Sequence, residues 1–117
     1  MTDRREFIKL DVNYLDNPKV APLVADGKVR AVLLHIECIA YSRRNRKNGI
    51  VPIAVVRRRI GATKGDVDTL IAAGLLVDCG AGAVEVHDYL EHQESREQIE
   101  ARADAARNAA NARWGNA

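Results

Sequence analysis

Residues 50–86 read IVPIAVVRRRIGATKGDVDTLIAAGLLVDCGAGAVEV, and this stretch decides the architecture. Ile50-Val51 is long enough only for a minimal strand, and Pro52 suits a helix N-terminus. Over 52–60, Ile53, Val56 and Ile60 fall on one helical face, and Arg57 and Arg58 point away from it. Gly61-Ala62-Thr63 is a tight turn. Thr63 reads as an N-cap, with Asp66 three residues later completing a capping-box pattern. From Lys64 to about Ala73 the spacing of Val67, Leu70 and Ile71 predicts a second helix, which Gly74 stops as a C′ glycine. Residues 75–78 and 83–87 then read as strands, joined by a hairpin turn over 79–82.

Working toward the N-terminus, Asn48-Gly49 and the basic run before it mark the end of a long helix. That helix is expected from about Gly27 to Arg44, with Asp26 as its cap and Val29, Val32, Leu33, Ile36, Ile39 and Ala40 at helical spacing. Asn17-Pro18 opens a shorter helix that should reach about Ala25. Residues 7–11 alternate in part and are expected as an edge strand. Toward the C-terminus, Ser95-Arg96-Glu97-Gln98 is a capping box. It opens an Ala-rich helix over 96–113 with no broad apolar face.

Helix, minimal strand, helix, tight turn, helix and two-stranded hairpin is the order of a winged helix-turn-helix. The expected fold class is mainly α with a small β-hairpin wing (α+β), plus a C-terminal helix. The helix at 64–73 takes the recognition position. A winged-helix domain over 1–93 and an Ala/Arg-rich helix over 94–117 are the expected units. With 117 residues and 47% apolar content there is room for one modest core, filled by aliphatic side chains because only five residues are aromatic. No apolar run is long enough to span a bilayer, and the N-terminus lacks a signal-peptide pattern. A cytoplasmic setting, with Cys38 and Cys79 as buried free thiols, follows as an expectation.

The net charge of +2 conceals an asymmetry. Residues 1–37 balance, and residues 66–117 carry a clear acidic excess. Between them, residues 38–65 hold eight basic side chains and no acidic one: Arg43, Arg44, Arg46, Lys47, Arg57, Arg58, Arg59 and Lys64. A local patch of this kind suits a polyanion. Phosphate contacts are assigned to these residues, and contacts near base edges to Thr63, Lys64 and Thr69. Asp66 and Asp68 at the start of the recognition helix and a wing turn without Lys or Arg argue the other way. Both acids also suit a positive helix N-terminus.

The chain resembles the winged-helix domain of phage and prophage replication-initiation proteins, and the small helix-turn-helix DNA-binding proteins of phages. The resemblance rests on Phe7-Ile8-Lys9-Leu10-Asp11, Asp16-Asn17-Pro18-Lys19-Val20, Gly49-Ile50-Val51-Pro52, Leu70-Ile71-Ala72-Ala73-Gly74-Leu75-Leu76, Val86-His87-Asp88-Tyr89-Leu90-Glu91-His92-Gln93 and Ser95-Arg96-Glu97. It implies double-stranded DNA as partner, with a role in replication or transcription control inside a bacterial host cell. The chain has no room after these motifs for a helicase-loading or nuclease domain, so a minimal regulator or accessory factor is expected. The alternative is a winged helix that docks a host or phage replication or transcription factor.

Other constellations point elsewhere less strongly. Cys38, Cys79, His87 and His92 fit no standard zinc spacing, so no metal is expected. His87-Asp88 and His92 near Glu91 and Glu94 lack a nucleophile motif or phosphate loop, so neither enzyme activity nor a cofactor is expected. In the last helix, Ile99, Ala103, Ala106, Ala110 and Trp114 form one stripe. The functional expectation there is a homodimer or a docked protein partner, which would set two basic patches on successive half-sites.

Overall fold

The computed structural model describes residues 6–115, with side chains to Arg113. A 3-10 turn at Tyr14–Asp16 leads into α1 (Ala21–Ala25) and α2 (Val29–Asn45). Then follow β1 (Ile50–Pro52), α3 (Ile53–Arg59), α4 (Lys64–Ala72), β2 (Leu76–Gly80), β3 (Ala83–Val86), α5 (Tyr89–His92) and α6 (Arg96–Gly115). The three strands form one antiparallel sheet in the order β1-β3-β2, so the minimal strand before α3 closes one edge of the hairpin. This is the winged helix-turn-helix arrangement with an added C-terminal helix.

The turns carry the expected chemistry. Thr63 Oγ1 accepts the Asp66 N–H at 3.2 Å, and Asp66 Oδ2 accepts the Thr63 N–H at 2.8 Å, completing the capping box. Replacing Thr63 with Ala should cost about 1 kcal/mol, read as a lower urea midpoint. Gly74 ends α4 in the left-handed region (φ +80°), with the Leu75 N–H donating back to Leu70 O at 3.0 Å. Ser95 and Gln98 exchange the two bonds of the second box. The hairpin turns at Ala81-Gly82, both at positive φ, which is tighter than the expected 79–82 loop. Cys79 and Gly80 therefore belong to β2, and a bulge sits between Asp78 and Gly80.

The core lies between α2, α3, α4 and the inner sheet face. Leu34, Cys38, Val51, Val56, Leu70, Leu76 and Val84 are among its most buried side chains. The buried face of α2 carries Val32 and Ile39 of the expected stripe together with Ala31, Leu34, His35, Cys38 and Ser42, whereas Val29 and Leu33 of that stripe are exposed. Small side chains on that face let α3, α4 and β1 approach closely. Ser42 shows why a polar residue is accepted there: its Oγ takes the Gly49 N–H at 2.6 Å in the interior. Gly49 itself sits at φ +94°, where a Cβ would lie 2.7 Å from Tyr89 Cβ.

Four further expectations are corrected. Residues 7–11 are irregular rather than an edge strand, because their partner is a side chain: the Lys9 N–H donates to Gln93 Oε1 at 2.8 Å, and Gln93 Nε2 donates to Lys9 O. The first helix begins at Ala21, after a turn at Pro18. Asp26 does not cap α2, because Gly27 (φ +74°) and Lys28 close α1 with a Schellman turn. Cys79 is exposed, whereas Cys38 is buried as expected and burial pushes its thiol up to about 12.

α6 leaves the domain. Its 20 residues span about 30 Å, and the molecule measures 62 × 33 × 23 Å. Ile99 is buried against its own chain, whereas every residue from Glu100 to Arg113 is exposed. The Trp114 side chain lies outside the described residues.

Candidate nucleic-acid interface

The turn between α3 and α4 brings the end of one basic helix beside the start of the other. Arg58 and Arg59 end α3, and Lys64 opens α4. Lys47 lies in the turn between α2 and β1. The fold then sorts the eight cations by their surroundings. Lys47, Arg58 and Lys64 are exposed, with no ion-pair or side-chain hydrogen-bond partner among the described residues.

The other five are engaged. Arg43 is buried, 3.8 Å from Glu94, with its Nε unpartnered. Arg44 donates to Glu37 at 2.9 Å and lies 5.7 Å from the Tyr41 ring centre. Arg59 meets the same Glu37 at 3.5 Å, so one carboxylate clips α2 to α3. Arg46 donates to Glu6 at 3.2 Å. Arg57 is half-buried and donates to Ala62 O at 3.4 Å, stitching the helix-turn-helix corner rather than pointing into solvent. The basic run is free of acid only along the sequence. Folding brings Glu37, Glu94 and Glu6 onto it from outside the 38–65 window.

On α4, Val67 and Leu70 face the core, leaving Lys64, Gly65, Asp68 and Ala72 outward. Thr63 Oγ1 is taken by the cap, and Thr69 Oγ1 donates to Gly65 O at 2.9 Å. Asp66 is held inward by Arg30 at 2.6 Å. Burial pushes its carboxyl up, but the bonds from Thr63 and Arg30 outweigh that and hold it below the usual range. Asp68 is therefore the acid that faces outward from this helix.

A hollow of about 980 Å³ runs between the N-terminal segment and the strap after β3. His35, His87 and His92 all line it, which their separation in sequence conceals. His35 is buried and stacks on Tyr14, whose hydroxyl shares a hydrogen bond with its Nδ1 at 2.5 Å. Burial depresses His35 to about 4 and raises Tyr14 to about 12. His87 Nε2 lies 3.1 Å from Asp88 at the surface. Among the described residues no group of three or more His, Cys, Asp or Glu side chains is placed to hold a metal ion, so Cys38, Cys79, His87 and His92 do not converge.

Among the described residues no helix is long and apolar enough to cross a membrane. No protein-family model, curated protein or solved structure matches this chain.

Proposed function

We propose that this is a DNA-binding winged-helix protein of phage type, acting in replication or transcription control in a bacterial host cell. The observation that carries the reading is the trio Lys47, Arg58 and Lys64: cations without acid partners among the described residues, two of them flanking the helix-turn-helix corner. Arg44 and Arg59 add partial charge, because they share a single carboxylate. With Thr63 and Thr69 tied to their own backbone, Lys64 is the side chain on α4 with reach toward a base edge. Binding on this reading is dominated by phosphates and is weakly sequence-specific.

Fluorescence anisotropy with labelled duplex DNA over a salt series tests it. Three phosphate contacts give a slope of about −2.7 in log K against log salt, so affinity should fall roughly 40-fold from 50 to 200 mM salt. The Arg58→Ala/Lys64→Ala pair should flatten the slope by about 1.8. Arg57→Ala should leave the slope alone and lower stability instead, because its guanidinium is spent on the corner. Salt-independent binding, or a slope unmoved by the pair, would reject this placement.

The second reading is a winged helix that docks a protein. The outward face of α4 favours it, because Gly65, Asp68 and Ala72 offer neither positive charge nor length. The wing tip Ala81-Gly82 adds no cation. No anisotropy change at 50 mM salt would move the assignment to this reading.

A further inference from the structure

We propose that α6 pairs antiparallel with the α6 of a second copy of this chain. Near its base the helix is tied to the rest of the chain. Asn48 Oδ1 accepts the Arg96 N–H at 2.6 Å, and Asn48 Nδ2 donates to Glu97 at 3.2 Å. Glu94 sits between Arg43 and Arg102, and the bond from Arg102 leads in holding its carboxyl below the usual range. These ties fix the direction of the helix. From Glu100 to Arg113 every described side chain is exposed.

The charges along the uncovered part choose the occupant. Counting from Ile99, a d position that is itself buried against its own chain, Ala103, Ala106 and Ala110 take the exposed a, d and a positions of a heptad. Glu100 and Arg107 then occupy e, and Arg102 and Ala109 occupy g. In a parallel pair, g faces the following e, which sets Arg102 against the second copy's Arg107 on both sides. In an antiparallel pair, e faces e and g faces g. Glu100 then meets the second copy's Arg107, the reciprocal pair repeats it, and Arg102 faces alanine. One orientation gains two attractions and the other two repulsions, so the helix is complementary to itself only when reversed.

Ala103 of one copy lies across from Ala106 of the other at the centre, where small side chains permit close approach. Each Glu100 already pairs with Arg96 of its own chain at 3.0 Å, and each Arg107 with its own Asp104 at 2.7 Å. The contact therefore extends these pairs into two four-charge chains. The overlap is short and alanine buries little area, so the dimer is weak and concentration-dependent.

Sedimentation equilibrium on the full chain, without nucleic acid, tests this apart from DNA binding. Wild type should show reversible dimerisation below roughly 1 mM. Glu100→Arg and Arg107→Glu should each weaken it about tenfold, because both attractions become repulsions. The double variant should recover it. An equimolar mixture of the two single variants should associate more tightly than either alone, because both of its pairs are then attractive. Circular dichroism of each variant verifies that α6 remains helical. Tighter association of Arg107→Glu alone would mean a parallel pair and overturn the proposal. So would a mixture no tighter than its components, or a wild type monomeric throughout.

Discussion

Leu70→Ala should lower the free energy of unfolding by roughly 3–5 kcal/mol, the largest single effect expected in this chain. Leu70 is fully buried on the inner face of α4. Its loss removes the transfer energy of the side chain and leaves a cavity among close-packed neighbours that cannot fully collapse. Domains of this size are stable by about 5–15 kcal/mol, so the variant should stand near the edge of folding. Urea denaturation should show a lower midpoint at an unchanged slope. Asp68→Ala, two residues away on the exposed side of the same helix, should stay within about 0.5 kcal/mol of wild type. A shift below about 1 kcal/mol for Leu70→Ala would mean that α4 is not seated as described.

The second large effect is acid lability in a defined window. The folded chain holds His35 at about 4, whereas an unfolded chain would titrate it near the ordinary 6.5. Between those values the unfolded state binds the proton and the folded state does not, so stability falls as the pH falls. The loss begins near pH 6.5, is complete near pH 4, and amounts to about 3 kcal/mol. Asp66 acts at lower pH with the same sign. Its carboxyl is held below the usual range, so its contribution is present above that range and lost only further into acid. Urea midpoints followed from pH 7 to pH 4.5 would show the His35 slope. His35→Gln should lower stability at pH 7 and flatten the slope, because nothing then remains to be protonated at that position. A wild type equally stable at pH 7 and 4.5 would contradict a neutral, buried imidazole.

Much of the helix-turn-helix was legible because local chemistry dictates it. Thr63 and Asp66 cap α4, Gly74 stops it, and Ser95 with Gln98 opens α6; each signal acts within four residues. Long-range choices were less legible. The alternation at residues 7–11 matches a strand, but the groups that satisfy it belong to the Gln93 side chain, 84 residues away from Lys9. On α2, helical spacing correctly marked Val32 and Ile39 but also drew in Val29 and Leu33, which are exposed. The fold adds Ala31, Cys38 and Ser42 to the buried face, because neighbouring helices and a backbone N–H need room there. α5 escaped notice because four residues carry no period.

The candidate interface was legible as composition but not as electrostatics. A count along the chain groups eight cations. The fold pairs Arg44 and Arg59 through Glu37, removes Arg43 to the interior and turns Arg57 onto Ala62 O. Glu37 stands one residue outside the basic window, and its i, i+7 position relative to Arg44 on the same helix was the available signal.

The outward run of α6 also governs how the chain moves through solvent. The radius of gyration of 17.3 Å exceeds the value of about 13 Å expected for a compact chain of this length. An elongated particle suffers more drag than a sphere of equal mass. A monomer should therefore leave a gel-filtration column early, close to where a compact protein of greater mass would elute. Its sedimentation coefficient should be correspondingly low, and an antiparallel pair joined through the two arms would be longer still. Elution position thus reports shape and mass together, whereas equilibrium sedimentation reports mass alone and counts the copies directly.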